Sequence, residues 1–177
     1  MNSLNKGIEK AQVALKWDAS PFGAPPVDLD IIAGVYPAAA PYGDPSYLVH
    51  FGSRSPDGTI TLNRDSRTGQ GLGEDEVMTL ELNRLAPAYG RVVVGVAIQQ
   101  REGRKVFADV ARCSARIREG YTELASYDFA GVSGAKAAVI ASFTRQAESG
   151  VWEFHAELRG FDTDPDSFVR VMGSRPS

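Results

Sequence analysis

The chain has 177 residues, of which 43% are hydrophobic and 23% are charged, and its formal net charge is −3. This length predicts one domain, spanning residues 1–177, that can bury a sizeable core without disulfides. The residue balance is that of an ordinary soluble globular protein. A weakly negative chain has no basic field to attract nucleic acid, so no nucleic-acid partner is expected.

Cysteine usage and hydropathy bear on the compartment. The single cysteine, Cys113, excludes an intramolecular disulfide and a cysteine-rich zinc site. The segment MNSLNKGIEKAQ at the N-terminus lacks the apolar centre of a signal peptide. No run approaches the roughly 18 apolar residues of a membrane span. The expected compartment is therefore the reducing cytoplasm.

Alternation of apolar and polar residues predicts strands along most of the chain. Residues 91–99, RVVVGVAIQ, are nearly all apolar and β-branched, which predicts a central strand buried on both faces. In chain order, the predicted strands are 11–17, 29–36, 47–51, 59–63, 76–82, 91–99, 111–119, 122–128, 137–145 and 151–158.

Turn residues separate these strands, and helix signals are few. SPDG at 55–58 predicts a hairpin between the strands on either side of it, and ESG at 148–150 predicts another. DPDSFVRVMG at 164–173 predicts a short helix capped by an aspartate, and 101–110 predicts a short turn. The sequence therefore predicts an all-β fold, an antiparallel β-sandwich of two packed sheets with one or two short helices.

One acidic, glycine-rich segment stands out, DSRTGQGLGEDE at residues 65–76. Its four carboxylates belong to Asp65, Glu74, Asp75 and Glu76, and its glycines free the backbone to turn inward. Calcium takes six to eight oxygen ligands from carboxylates, side-chain amides, carbonyls and water. This segment has the composition of a loop that could wrap a hard cation.

A second pair of acids lies in the segment VDLDII, where Asp28 and Asp30 are two residues apart at a predicted strand start and share a face. Together the two segments hold six carboxylates against one cation, Arg67, a local formal charge of −5. In a site closed to water, repulsion of this size would be costly, and a bound divalent cation would remove it.

Other interpretations of the glycine-rich segment are weaker or remain open. An EF-hand is excluded, because Arg67, Gly69 and Gln70 stand where that loop needs ligands and its invariant glycine. A phosphate-binding loop fits poorly, because no Lys-Ser/Thr pair follows and three acids, which repel phosphate, do. A solvated acidic loop between two strands remains open.

Five blocks of sequence carry a family resemblance. KGIEKAQVALKWD, VDLDIIAG, HFGSRSPDG, DSRTGQGLGEDEVMTLELNRL and YDFAG follow one another as in the TerD family of tellurium-resistance and general-stress proteins, from about residue 4 to 172. The most specific parts are Trp17–Asp18, the Asp28-x-Asp30 pair and the loop from Asp65 to Glu76. The chain is identified on this basis as resembling that family.

The resemblance implies a β-sandwich that binds calcium, Ca²⁺, at one end through these loops. It implies no catalytic activity, no small-molecule substrate, and partners among other stress-operon proteins, including at the membrane surface. The carboxylate ligands would be Asp28, Asp30, Asp65, Glu74, Asp75 and Glu76, with Gln70 as an amide ligand and Thr68 and Gly69 as carbonyl donors. One of Glu74 and Asp75 is expected to face water.

Several positions depart from the family pattern. Gln70 stands where the family has glutamate, Leu72 stands at a frequently acidic position, and Ile31 and Ile32 replace an Ala-Ser pair. Glutamine keeps an oxygen but loses a charge, so the calcium affinity is expected to be lower. At least one calcium ion is still expected.

Two alternatives come from other classes of function. One is a metal-free interaction module whose acidic loop docks a basic partner. The other is an enzyme that uses a carboxylate pair to hydrolyse a glycan. The two histidines, His50 and His155, lie on separate predicted strands, so neither a zinc site nor a histidine-activated nucleophile is predicted. Cys113 is expected to be an inert buried thiol.

Overall fold

The computed structural model describes residues 7–65, 73–101 and 103–176, and gives backbone alone for residues 64 and 65. Within these ranges the chain forms ten strands and one α-helix. Residues Thr68, Gly69 and Gln70 lie outside the described residues. In chain order the elements are β1 Ala11–Lys16, β2 Leu29–Pro37, β3 Tyr47–Val49, β4 Ile60–Asp65, β5 Glu76–Leu80, β6 Tyr89–Ile98, β7 Ser114–Glu119, β8 Thr122–Tyr127, β9 Ala137–Arg145, β10 Trp152–Phe161 and α1 Pro165–Val171, with short 3₁₀ turns at Leu82–Arg84, Phe107–Asp109 and Ala130–Val132.

The strands form two five-stranded sheets, and every pairing is antiparallel. The first sheet has the order β4-β5-β1-β7-β8, and the second has the order β10-β9-β6-β2-β3. The apolar side chains of both sheets face each other and form the main core, which includes Trp17, Leu29, Ile31 and Val94. The predicted antiparallel β-sandwich is therefore confirmed, and the predicted central strand is β6, at the middle of the second sheet.

A second, smaller core covers the outer face of the second sheet. The short helix α1 lies there, and its Phe168, together with Met172 just after the helix, packs against Ile32, Val93 and Val139. The helix begins as predicted, because the Asp164 side chain accepts a hydrogen bond from the backbone N–H of Ser167 at 2.9 Å. This helix gives the second sheet apolar cover on both faces, as the apolar sequence of β6 requires.

The predicted hairpin at 55–58 is wrong. The turn exists, with Gly58 at φ +74°, but β3 pairs with β2 in the second sheet whereas β4 pairs with β5 in the first. The chain therefore crosses from one sheet to the other between β3 and β4. The hairpin predicted at 148–150 is confirmed, since β9 and β10 pair on either side of it.

Candidate metal centre

The glycine-rich segment connects two neighbouring strands at one end of the sandwich. Asp65 ends β4 and pairs with Glu76, the first residue of β5, so the segment is the connection of a hairpin. Residues 66–72 lie outside the described part of the chain, and for Asp65 the backbone alone is described. The described part of this end therefore consists of Glu74, Asp75, Glu76 and the residues they contact.

Asp75 is fully buried next to β1. Its backbone N–H donates to the carbonyl of Leu15 at 2.8 Å, and its Oδ2 accepts a hydrogen bond from the backbone N–H of Trp17 at 2.8 Å. Its other oxygen, Oδ1, is buried and has no hydrogen-bond partner among the described residues. Burying an ionised carboxylate costs free energy when one of its oxygens has no hydrogen-bond partner, unless a further positive group lies nearby.

Glu76 links the two sheets. It is fully buried, and its Oε1 accepts a hydrogen bond at 2.6 Å from the backbone N–H of Ile31, which belongs to β2 in the second sheet. The side chain of the first residue of β5 therefore reaches across the sandwich to β2. This contact places the acidic end of the first sheet beside the segment that carries Asp28 and Asp30.

Asp28 and Asp30 are buried at 6% and 2% exposure where β2 begins. Asp30 lies between two residues of the main core and is thus on the outer face of the second sheet. Its Oδ2 accepts a hydrogen bond from the Gln99 amide at 2.6 Å, and the Asp28 Oδ2 lies 3.2 Å from a guanidinium nitrogen of Arg101. Both acids contact the chain that follows β6, as expected of two residues on one face.

Glu74 has a more exposed environment than its two neighbours. Its carboxylate lies 3.3 Å from the Arg118 guanidinium, and the two side chains are 30% and 27% exposed. The carbonyl of Gly73, which has φ +83°, accepts a hydrogen bond from the Lys16 ammonium at 2.7 Å. Of Glu74 and Asp75, Glu74 is thus the one that reaches water.

Trp17 holds this end of the sandwich together. Its backbone N–H binds Asp75, and its indole Nε1 donates to the carbonyl of Val27 at 3.1 Å, just before Asp28. The fully buried ring therefore connects the end of β1 to both acidic segments. Sequence reasoning had marked Trp17 and its neighbour Asp18 as motif residues without assigning this contact.

Three polar partners of the acids were missed at the sequence level: Gln99, Arg101 and Arg118. Gln99 follows a run of apolar residues. This position indicates where the strand ends, but it does not indicate a hydrogen bond to an acid. Arg101 lies in a charged stretch and Arg118 alternates with apolar residues on a predicted strand, and both settings are typical of solvated arginines. Their partners are distant in sequence, so no local pattern could identify them.

The described residues do not complete a metal site by themselves. Among the side chains that the structure describes, which leave out that of Asp65, no three from His, Cys, Asp or Glu lie together closely enough to hold a metal ion. The chemistry of the donors fits calcium nonetheless, since carboxylate oxygens are its preferred protein ligands, and Asp75 Oδ1 is a buried oxygen that lacks a described partner. A full shell would draw its remaining oxygens from residues 65–72.

The two histidines and the cysteine have environments that indicate structural roles. His155 is exposed on β10 and contacts the Thr144 hydroxyl at 2.7 Å, and His50 lies just after β3, where its Nδ1 accepts the backbone N–H of Gly52 at 3.1 Å. Cys113 is 5% exposed, just before β7, and burial raises the pKa of its thiol to about 12.

In the described ranges there is no helix whose length and hydropathy would let it cross a membrane.

The fold and the acidic end define the chain as a two-sheet β-sandwich protein with buried carboxylates at one end of the sandwich. Residues 1–170 match the family model described as the TerD domain. The chain is therefore a member of the TerD domain family, and the resemblance found in its sequence blocks is confirmed.

Individual relatives agree with this assignment. A crystal structure described as a homologue of telluride resistance protein (TerD) from Streptomyces coelicolor A3(2) has a TM-score of 0.93 and 54% identity, and the match covers 96% of this chain and 100% of that chain. Tellurium resistance protein TerD from Alcaligenes sp is 28% identical over 158 residues, which are 87% of this chain and 82% of the relative. General stress protein 16U from Bacillus subtilis (strain 168) is 26% identical over 166 residues, which are 91% of this chain and 86% of the relative.

Proposed function

We propose that this chain is a calcium-binding, non-enzymatic stress-response protein of the tellurium-resistance type. Calcium orders the loops at the acidic end, and the ordered end presents a surface to other proteins of the same stress system, including at the membrane surface. The names of the relatives support the stress and resistance role. The single cysteine supports a reducing, cytoplasmic location.

The observation that carries the calcium proposal is the environment of Asp75. Its side chain is fully buried, one oxygen binds a backbone N–H, and the other has no hydrogen-bond partner in the described part of the chain. Leaving a buried acceptor unsatisfied costs about 1–3 kcal/mol, and more for a charged group. A cation bound at Oδ1 would remove this cost.

The neighbouring acids support the same interpretation. Glu76 binds the backbone of β2, which brings the acidic end of the first sheet to the segment of Asp28 and Asp30. Calcium ligands lie at roughly 2.3–2.6 Å from the ion, and the coordination geometry is flexible. We propose that Asp28, Asp30, Asp75 and Glu76 contribute to the site together with Asp65, Thr68, Gly69 and Gln70.

Two ion pairs affect how calcium would bind at the proposed site. The ion pair of Asp28 with Arg101 joins a buried carboxylate, 7% exposed, to an arginine side chain that is 60% exposed. A calcium ion bound at Asp28 would replace the guanidinium as the positive partner, so the buried carboxylate would stay paired. Glu74 is already paired with Arg118, which favours a role outside the innermost ligand shell.

Calorimetric titration with calcium tests this proposal, because it gives stoichiometry and affinity together. Calcium-stripped wild-type protein is expected to bind at least one ion, and Asp75→Asn is expected to lose most of the heat, because the amide removes a charge at a buried ligand. Asp30→Asn serves as a second variant on the other sheet. Glu148→Gln, which removes one charge from the exposed β9–β10 turn, is the matched control.

The same titration separates calcium binding from a metal-free docking module. Asp75 is fully buried and cannot contact a partner directly. The Asp75→Asn substitution can therefore affect docking only by changing the structure of the loop. A wild-type protein that gives no heat with millimolar calcium, while circular dichroism shows it to be folded, would exclude the calcium proposal.

A further inference from the structure

The connection between β1 and β2, residues 18–28, has an exposed apolar tip. Its sequence is DASPFGAPPVD, and the tip, PFGAPP at 21–26, has no charged or polar side chain. All six residues of the tip are exposed, and the Phe22 side chain is fully exposed. Contiguous exposed apolar segments mark sites that bind a protein or a membrane.

A tight turn places Phe22 at the end of this tip. The backbone N–H of Ala24 donates to the carbonyl of Pro21 at 2.9 Å, and Gly23 has φ +89°. The hydrogen bond and the positive φ at the third residue define a type II β-turn, in which Phe22 is the second residue. The three prolines of the loop limit its conformations further. The tip therefore loses little conformational entropy when it binds.

Both ends of the loop are fixed to the acidic end of the sandwich. The indole of Trp17 donates to the carbonyl of Val27 at 3.1 Å and closes the base of the loop. The backbone N–H of Asp18 donates to the carbonyl of Ala111 at 2.9 Å. The exposed tip therefore belongs to the same end of the fold as the proposed calcium site.

Two exposed arginines lie beside the two ends of the loop. The Nε of Arg112 lies 3.5 Å from the carboxylate of Asp18, and the two side chains are 86% and 44% exposed. At the other end of the loop, Arg101 pairs with Asp28, as described above. In both ion pairs the guanidinium is the more exposed partner, so some of its five N–H donors remain available to a further anion.

An apolar tip between two arginines matches the surface of an anionic bilayer. Guanidinium groups bind phosphate oxygens in a fork, and aromatic side chains partition into the headgroup region. Peripheral membrane binding combines a small apolar insertion with electrostatic attraction to anionic lipids. A stable protein interface instead engages about 20–30 residues on each side, whereas this tip has six.

We propose that residues 18–28 dock the acidic end of the sandwich on an anionic lipid bilayer. The tip at 21–26 enters the headgroup region, and Arg101 and Arg112 bind lipid phosphates. This deepens the membrane-surface part of the proposed function and rests on it in one respect. Calcium bound at Asp28 replaces Arg101 as the positive partner and reduces the negative charge of this end, so calcium strengthens docking.

Sedimentation with lipid vesicles tests the proposal on the full chain in the presence of calcium. Vesicles of equal parts phosphatidylcholine and phosphatidylglycerol are compared with vesicles of phosphatidylcholine alone. Wild-type protein is expected to bind the anionic vesicles about tenfold more tightly than the neutral ones, which corresponds to about 1.4 kcal/mol. In EDTA, binding to the anionic vesicles is expected to be weaker.

Two exposed aromatic residues give a matched pair of variants. Phe22→Ser is expected to weaken binding to the anionic vesicles about tenfold, since the tip loses its largest apolar side chain. Tyr121→Ser is the control and should leave binding unchanged. Tyr121 is as exposed as Phe22 but follows β7, whose first residue Ser114 pairs with Lys16, so it lies at the opposite end of the first sheet.

Two exposed arginines test the charge in the same way. Arg112→Gln is expected to weaken binding to the anionic vesicles several-fold and to leave binding to neutral vesicles unchanged. Arg84→Gln is the control and should have no effect on either. Arg84 is 56% exposed and is also paired with an acid, Glu81, but it follows β5 at the end of the sandwich that lies away from the loop.

Insertion of the tip has a spectroscopic readout. The two native tryptophans, Trp17 and Trp152, are buried, so Phe22→Trp adds one exposed indole. Its emission is expected to shift to shorter wavelength on anionic vesicles and to be quenched by lipids brominated on their acyl chains. Tyr121→Trp should show neither change.

Either of two outcomes would overturn the proposal. Equal vesicle binding by wild type and Phe22→Ser, or an unchanged emission of Phe22→Trp on anionic vesicles, would show that the loop does not contact lipid. A dimer that Phe22→Ser abolishes, in a protein that binds no vesicles, would assign the tip to a second copy of the chain.

Calcium calorimetry separates this proposal from the calcium proposal. Phe22→Ser should keep the full calcium heat, because Phe22 is not a proposed ligand. A wild-type protein with calcium heat but no vesicle binding would refute docking alone. Vesicle binding that depends on Phe22, in a protein that gives no calcium heat, would refute the calcium proposal alone.

Discussion

Three consecutive acids, Glu74, Asp75 and Glu76, have three different environments. Glu74 pairs with Arg118 near the surface, Asp75 binds the backbone of Trp17, and Glu76 binds the backbone of Ile31. The sequence predicted that all three were ligands and that one would face water, but it could not rank them. The partners of Asp75 and Glu76 are 58 and 45 residues away in the chain, so only the folded topology separates the three roles.

A residue-scale prediction concerns Asp57, in the turn between β3 and β4. Its Oδ1 accepts hydrogen bonds from the Ser55 hydroxyl at 2.6 Å, the Thr59 hydroxyl at 2.7 Å and the Thr59 backbone N–H at 3.1 Å. Partial burial alone would raise the pKa of this carboxyl, but these hydrogen bonds outweigh burial and lower the pKa. Asp57 is exposed, so solvent screens the charged part of these hydrogen bonds, and Asp57→Asn is expected to reduce the free energy of unfolding at pH 7 by only about 0.5 kcal/mol.

The direction of the pKa shift of Asp57 determines how its contribution to stability changes with pH. Because the folded-state pKa of Asp57 is depressed, its stabilising effect is present above the unfolded pKa of about 3.9 and is lost as the pH falls through the lower folded value. Urea unfolding of wild type and Asp57→Asn should show a gap at pH 7 that closes toward pH 3. A gap of constant size at both pH values would show that the charge of Asp57 is not involved.

At the scale of elements, strands with strong patterns were predicted most closely. Residues 137–145 coincide with β9, and 91–99 overlap nearly all of β6. The error at 55–58 has a physical reason: Ser-Pro-Asp-Gly specifies a tight turn, but a turn does not determine whether the next strand stays in the same sheet. That choice depends on whether Ile60 and Leu62 pair with β5, which is a non-local contact.

An element-scale prediction follows from the packing of α1 on Gly95 of β6. A Cβ added at Gly95 would lie 2.5 Å from Cζ of Phe168 and 2.9 Å from the carbonyl oxygen of Ala138. Gly95→Ala is therefore expected to displace α1 and to lower the free energy of unfolding by about 1–3 kcal/mol, the usual cost of overpacking. Chemical denaturation measures this change.

The control for this experiment is Gly43→Ala, where the nearest atoms to an added Cβ lie at 3.6 Å. It should have little effect on stability. Adding Phe168→Leu to Gly95→Ala should give a smaller total loss than the sum of the two single variants, since the clash is relieved. Strict additivity would mean that the helix and Gly95 do not interact.

At the scale of the whole molecule, the acidic end joins the two sheets. Asp75 and Glu76 come from the first sheet, Asp28 and Asp30 precede or begin a strand of the second, and Trp17 connects both regions. The sequence predicted the two-sheet architecture, which is confirmed, and it grouped the two acidic segments in one calcium site, which stays a prediction. It could not predict the cross-sheet bond from Ile31 to Glu76, because that bond depends on how the sheets stack.

The proposed calcium site has a consequence for global stability. An ion held by both sheets binds the folded chain and not the unfolded one, so calcium at 100 times its dissociation constant adds about 2.7 kcal/mol. For a domain of this size we expect the melting temperature to rise by roughly 5–10 °C between EDTA and saturating calcium. Thermal scans followed by circular dichroism measure this difference.

Magnesium serves as the matched control, because it requires octahedral geometry at about 2.0–2.1 Å and releases its water reluctantly. It should raise the melting temperature less than calcium does. The calcium effect should also disappear in Asp75→Asn. Identical melting curves in EDTA and in millimolar calcium would contradict the expected coupling between the metal and the fold.

The burial of Cys113 limits how a resistance protein of this family could act on an oxidising metalloid. Reduction of an oxyanion by a protein thiol needs a thiolate that the oxyanion can reach. Here the single sulfhydryl of the chain lies inside the sandwich, and its pKa of about 12 keeps it protonated in the cell. Electrons for detoxification by a thiol route would therefore have to come from another molecule, such as a soluble low-molecular-weight reductant.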